Sequence, residues 1–199
     1  MPVLEKLKNY HLELLKWTRK MNLISAGSIE NADIIHIADA IQGIRIIQSE
    51  TSGCQEIWDF GSGNGIPGAV YAILDPEQKI HCVDSDQRKI SFIKNVALTQ
   101  GIQNLETYCC RVEDLEKNTV NVAMARGFAP IEKSLEITEA LFQQKGTFFH
   151  FKGPDWKNEV SGPNSEKCST WNISELSQYE LPENKGKRTV VIATRHNLG

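Results

Sequence analysis

The chain has 199 residues, 40% of them hydrophobic and 24% charged, with a formal net charge of −3; that is enough for one domain with a sizeable core and too little for two full enzyme domains. Its longest apolar stretch, residues 34–47, is broken by His36, Asp39, Gln42 and Arg45, well short of the roughly 20 apolar residues a membrane span needs. With no signal-peptide layout and no low-complexity tract, the composition argues against membrane, secreted and disordered classes, and a cytoplasmic protein is expected.

The charge is unevenly placed. Residues 1–24 hold five Lys/Arg against two Glu, and residues 185–199 hold Lys185, Lys187, Arg188 and Arg195 with no acid. Basic ends on an acidic body suggest a local phosphate-binding surface. The five cysteines have neither disulfide-framework nor metal-ligand spacing, so a reduced compartment and no metal are expected; vicinal Cys109-Cys110 is the one pair that stands out.

In chain order, Leu4, Leu7, Leu14, Trp17 and Met21 recur at helical spacing and predict a first amphipathic helix. A Ser25–Ser28 break follows, then a second helix over about 31–48 with Ile34, Ile37, Ile41 and Ile44 on one stripe. Residues 1–50 thus read as a helical extension packed on a main domain of residues 51–199, the whole forming one compact unit. The main domain alternates strands and helices. Strands are expected at 56–60, 79–83, 105–109, 120–125 and 147–151, with helices reaching about 74, over 87–100 and over 131–143. Two closing strand candidates, 170–181 and 188–194, have no long helix between them. Strands alternating with helices predict an α/β fold with a parallel sheet. The antiparallel ending makes it the seven-stranded, Rossmann-like class I methyltransferase arrangement. No large apolar face demands a dimer, so a monomer is expected.

The strongest local signal is Asp59-Phe60-Gly61-Ser62-Gly63-Asn64-Gly65-Ile66-Pro67-Gly68, placed after a strand and opening a helix. Gly61, Gly63 and Gly65 let the backbone approach a ligand. Gly63, Gly65 and Gly68 also match the dinucleotide pattern, but two details favour S-adenosylmethionine over a nicotinamide cofactor. Asp59 sets a carboxylate where it could take a methionine amino group and would repel a pyrophosphate. The chain is also short for a separate dehydrogenase substrate domain. Asp84 ends the second strand and could accept the ribose hydroxyls, while the amides near Val112 and the side chain of Glu113 could hold an adenine edge. Arg126 and Lys152 follow the fourth and fifth strands, whose carboxyl ends face the cofactor crevice in such folds.

These motifs resemble the glucose-inhibited division protein B family, the small-subunit ribosomal RNA methyltransferases G. The resemblance rests on the glycine turn, Val83-Asp84-Ser85 with Arg88 and Phe92, Arg111-Val112-Glu113, Ala125-Arg126-Gly127-Phe128-Ala129 and Phe151-Lys152-Gly153. Trp17–Leu23, His36-Ile37-Ala38-Asp39 and Arg188–Ile192 extend it to nearly the whole chain. Ile35, Ala125 and Gly127 stand where the family usually has arginine, serine and alanine. The resemblance implies transfer of a methyl group from S-adenosylmethionine to N7 of a guanine, guanine 527 in the 530 loop of 16S rRNA, within the small ribosomal subunit. It implies that Gly61, Ile66, Val112 and Glu113 contact cofactor, that Arg126 lies at the cofactor mouth, and that Lys152 and Arg188 line the RNA face. Arg126 and Lys152 are then positioning cations rather than bases, since guanine N7 carries a lone pair and no proton. Arg19, His36 and Arg88 are further candidates for RNA contacts. The residues by themselves also leave open a methyltransferase of this fold acting on a small molecule or protein, or a homologue that binds without turnover.

Overall fold

In the computed structural model, which describes residues 1–160 and 168–196, seven strands form one sheet ordered β3-β2-β1-β4-β5-β7-β6. The strands are β1 Glu56–Phe60, β2 Lys79–Val83, β3 Leu105–Tyr108, β4 Val120–Arg126, β5 Phe142–Lys152, β6 Trp171–Glu180 and β7 Lys187–Arg195. β1 to β5 pair in parallel, and β7 lies antiparallel between β5 and β6. Strand order reverses at β1, which has β2 on one side and β4 on the other; a ligand crevice is expected outside the carboxyl ends at that reversal.

Alternation along the strands sorts the core into two faces. Ile57, Ile80, Cys82, Met124 and Phe149 join the side covered by α1 (Val3–Thr18), α2 (Asp39–Ile47), α3 (Gly68–Leu74) and α4 (Gln87–Gln100). Trp58, Phe60, Ala123, Phe148 and Trp171 join the other side, covered by α5 (Ile131–Thr138) and the Trp156 segment. Local chemistry fixes the ends of α4: the Asp86 side chain accepts from the Arg88 amide at its start, and Gly101, left-handed at φ 62°, stops it.

Two expectations are corrected and a third, the second helix, is refined. Leu4 is 64% exposed, and the buried stripe of α1 is Leu7, Tyr10 and Leu14. The second helix opens as a π-helical stretch, Asp33–Ala38, before α2. The helix expected over 131–143 ends at Thr138, and after a 3-10 turn the chain enters β5 at Phe142. The reason is aromatic packing: the Phe142 ring sits 5.0 Å from Trp171 and 5.5 Å from Phe148. That burial outweighs the helical pattern of the preceding residues.

Candidate functional site

The glycine turn leaves the buried carboxyl end of β1 and feeds α3. Backbone and carboxylate bonds hold it: the Ser62 amide donates to the Val83 carbonyl at 2.9 Å, the Gly63 amide to Asp84 Oδ2 at 2.9 Å, and the Gly68 amide to Asp59 Oδ2 at 2.8 Å. Gly68 is obligatory there, because a Cβ would lie 2.6 Å from Asp59 Oδ2 and Cys82 Sγ. Gly61 combines φ +64° with a Phe128 ring that would lie 2.5 Å from a Cβ. The helical extension braces the same turn from behind. The Tyr10 hydroxyl donates to the Asn64 carbonyl, and Asn64 Nδ2 donates to the Leu23 carbonyl at 3.3 Å.

In front of the turn lies an open cleft of about 340 Å³, lined by Gly61, Asp84, Ser85, Lys89, Cys110, Arg111, Val112, Glu113, Gly127, Phe128 and Ile137. Its size is within the ordinary range for small-molecule sites. Four residues anticipated from sequence meet here: Gly61, Asp84, Val112 and Glu113. Asp84 also accepts from the Asp86 amide at 2.8 Å, but a carboxylate offers about four lone-pair positions. It can therefore shape the turn and still receive a diol. Lys89 Nζ stands 3.8 Å from Asp84 Oδ2.

Asp59 is placed differently. It is fully buried behind the turn, outside the cleft lining, with Oδ2 spent on Gly68 and Oδ1 without a partner among the described residues. Burial pushes its carboxyl up to about 7. Ile66 is 2% exposed and belongs to the core beneath the turn, and Gly63 and Gly65 lie outside the lining as well.

The cations anticipated at the mouth are engaged with other parts of the protein. Arg126, on the last residue of β4, is 17% exposed and pairs with Asp39 Oδ2 at 3.1 Å. Arg126 also donates to the Ile35 carbonyl at 3.3 Å and meets His36 Nδ1 at 3.0 Å. An arginine has donors only, so Nδ1 must accept and Nε2 carries the proton given to Ser28 Oγ at 3.0 Å. Burial first, and then Arg126 and Arg188, hold the imidazole down at about 4, consistent with this neutral tautomer. Asp39 receives a second donor in the Tyr179 hydroxyl at 2.7 Å, while Arg188 Nε lies 3.9 Å away. The network ties the helical extension to β4 and to the closing β6–β7 hairpin.

Lys152 is likewise enclosed, 11% exposed, donating to the Ala129 carbonyl at 2.8 Å and pairing with Glu159 at 2.7 Å. Glu159 also accepts the Ile131 amide at 2.9 Å, at the start of α5. Arg19 and Arg88 share a neighbouring groove of about 410 Å³ with Lys20 and Lys89, and Arg88 is paired there with Asp86 at 2.9 Å. The sequence reading missed Tyr10, Tyr179 and Glu159 and gave Asp39 no role. Tyr10 could have been found, since it falls on the Leu7–Leu14 stripe. Tyr179 and Glu159 carry no local signal.

Comparison with known proteins fits this geometry. Solved structures share the fold at low identity. The 1,6-didemethyltoxoflavin-N1-methyltransferase of Burkholderia thailandensis, solved with S-adenosylhomocysteine, aligns at TM-score 0.57 and 13% identity, covering 80% of this chain and 79% of that one. Precorrin-6y C5,15-methyltransferase of Geobacter metallireducens aligns at 0.53 and 12%, covering 88% and 92%. Closer in sequence, a ribosomal RNA small subunit methyltransferase G of Bdellovibrio bacteriovorus is 37% identical over 186 residues, 94% of this chain and 84% of that protein. Its Paracoccus denitrificans namesake is 34% identical over 163 residues, 81% and 82% of the two chains. The family model for GidB, rRNA small subunit methyltransferase G, matches residues 3–191. The chain belongs to the GidB family of rRNA small subunit methyltransferases G.

Proposed function

We propose that this protein methylates N7 of a guanine in the 530 loop of 16S rRNA, using S-adenosylmethionine, in the bacterial cytoplasm and on the small ribosomal subunit. Membership of the family supports the reaction, and one observation carries it in the structure: Gly61 of the glycine turn, Asp84, Val112 and Glu113 converge on one cleft at the sheet's reversal point. The donor set suits a nucleoside. Asp84 supplies acceptors for a ribose diol, Glu113 an acceptor near Val112 for an adenine edge, and the turn between β1 and α3 a close backbone approach.

S-adenosylmethionine, when bound, supplies a methyl group already activated on a sulfonium. The chain then has to position rather than deprotonate, because guanine N7 presents a free lone pair. Holding reactants in line at near-attack distance is the chief contribution available. Tyr10 and Leu23 support that role by fixing Asn64 in the turn. Asp39 supports it by locking Arg126 and the extension onto the carboxyl end of β4. Arg19 and Arg88 beside the cleft suit rRNA phosphates. Asp59, buried behind the turn, supports the site by holding the Gly68 amide and so the course of the turn.

Mass-spectrometric mapping of rRNA from a deletion strain and its parent tests the reading. The expected result is loss of a single 7-methylguanosine from small-subunit RNA. Identical maps would contradict it, and label found only in a metabolite pool would redirect the activity to a small molecule.

A further inference from the structure

We propose that Phe128 is the platform on which the target purine lies during methyl transfer, an inference that rests on the rRNA guanine reading above. Among the described residues that line the cleft, Phe128 is the only aromatic one. It is half-buried, against the face of the sheet that holds Phe60 and Phe148, yet no ring pairs with it among the described residues. Its ring lies over Gly61, close enough that a Cβ there would come within 2.5 Å.

Its position along the cleft matters. Asp84 follows β2 and Val112 follows β3, so the nucleoside acceptors sit on one side of β1. Phe128 follows β4, on the opposite side of β1. The transferred group must emerge between these two sides, and the ring stands there. Gly127 turns the chain at φ +71°, and among the described residues beyond its two chain neighbours no atom lies within 4 Å of a Cβ built on it. The ring is therefore carried on a tight turn, with its Cβ packed close against Gly61.

Two physical effects favour an aromatic face here. An enzyme acting on a base in folded RNA must replace stacking that the base gives up. A ring supplies that replacement without reading sequence. The second effect belongs to the reaction. The N7 lone pair forms the bond to the methyl carbon while the carbon–sulfur pair returns to sulfur. Positive charge thus passes onto the purine. A cation over an aromatic face is stabilised by the ring quadrupole, and an interaction that grows with the developing charge accelerates the step. Arg126 and Lys152 could not serve this purpose, because a cation would oppose the charge.

The test uses purified protein and small-subunit particles from a strain lacking its gene. Four variants, Phe128→Leu, Phe128→Met, Phe128→Tyr and Phe128→Trp, are checked for folding by thermal melting. Particle binding is then measured with S-adenosylhomocysteine present, S-adenosylhomocysteine binding by calorimetry, and kcat with labelled methyl. Leu and Met variants should bind particles roughly 5- to 150-fold more weakly, the span expected for one lost base–aromatic stack. Their kcat should also fall, with S-adenosylhomocysteine affinity within about twofold of wild type. Tyr and Trp should restore both properties. Tyr or Trp variants as poor as Leu would reduce Phe128 to packing. Lost S-adenosylhomocysteine affinity with unchanged particle binding would make it a cofactor wall. Either result overturns the proposal, as does a Phe128→Leu enzyme equal to wild type. Wild-type protein inert on particles would instead sink the rRNA reading, and this inference with it.

Discussion

The two ends of the site are built on different principles. At the β2–β3 end, Asp84, Val112 and Glu113 stand in an open cleft, shaped by a backbone amide, Gly63, bonded to the strand-end carboxylate Asp84. At the β4–β5 end, Arg126 and Lys152 are half-buried against carboxylates, and Arg126 reaches Asp39, 87 positions away in sequence. One end is shaped to receive a ligand; the other holds three parts of the chain together. The cations at the second end hold the scaffold against which the first is measured. A charged side chain at a strand end is thus not evidence of a free ligand contact until its carboxylate partners are known.

Breaking the open end should give the largest effect. Gly61→Arg should abolish S-adenosylhomocysteine binding by calorimetry, since the position is left-handed and faces the Phe128 ring. Breaking the buried end should cost stability first. Asp39→Ala leaves Arg126 enclosed without its carboxylate, a loss of ~3–5 kcal/mol, or a melting temperature lower by roughly 6–20 °C in a chain of this size. Lys152→Ala should follow at ~1–3 kcal/mol, because Glu159 loses a partner. S-adenosylhomocysteine affinity should stay near wild type in that variant. Reduced methylation that varied with salt at unchanged melting temperature would return Lys152 to the RNA face. Tyr179→Phe, removing one donor from Asp39, should cost ~1–3 kcal/mol.

The smallest effects concern pH and distinguish the two ends by sign. His36 is held at about 4, so between roughly 6.5 and 4 the unfolded chain binds a proton that the folded chain refuses, and acidification destabilises. Asp59 is raised to about 7. Between roughly 3.8 and 7 the folded chain holds a proton the unfolded chain has lost, and acidification stabilises. Denaturant titrations at pH 7 and pH 5 should therefore show a shallower acid loss in His36→Gln and a steeper one in Asp59→Asn.

What could be read in advance follows the same division. The order of elements, the antiparallel closing pair and the placement of Asp84 and Val112 were legible because each depends on short-range pattern: strand, glycine turn, helix, strand-end acid. Asp59 was legible as a strand-end carboxylate but not as a buried brace, because its neighbour Gly68 reaches it only through the fold of the turn. The end of α5 was misread because Phe142 answers to Trp171, far along the chain. Tyr179 was invisible: its partner Asp39 lies 140 residues away, and nothing in the alternation of β6 marks it.

The central claim is that the β2–β3 end of the cleft receives a nucleoside while the β4 cations stay in the scaffold. A crystal structure with S-adenosylhomocysteine tests it most directly. The account predicts the ribose on Asp84, the adenine beside Val112 and Glu113, and Arg126 still paired with Asp39. A nucleoside bound elsewhere, or Arg126 released from Asp39 to grip it, would contradict the account.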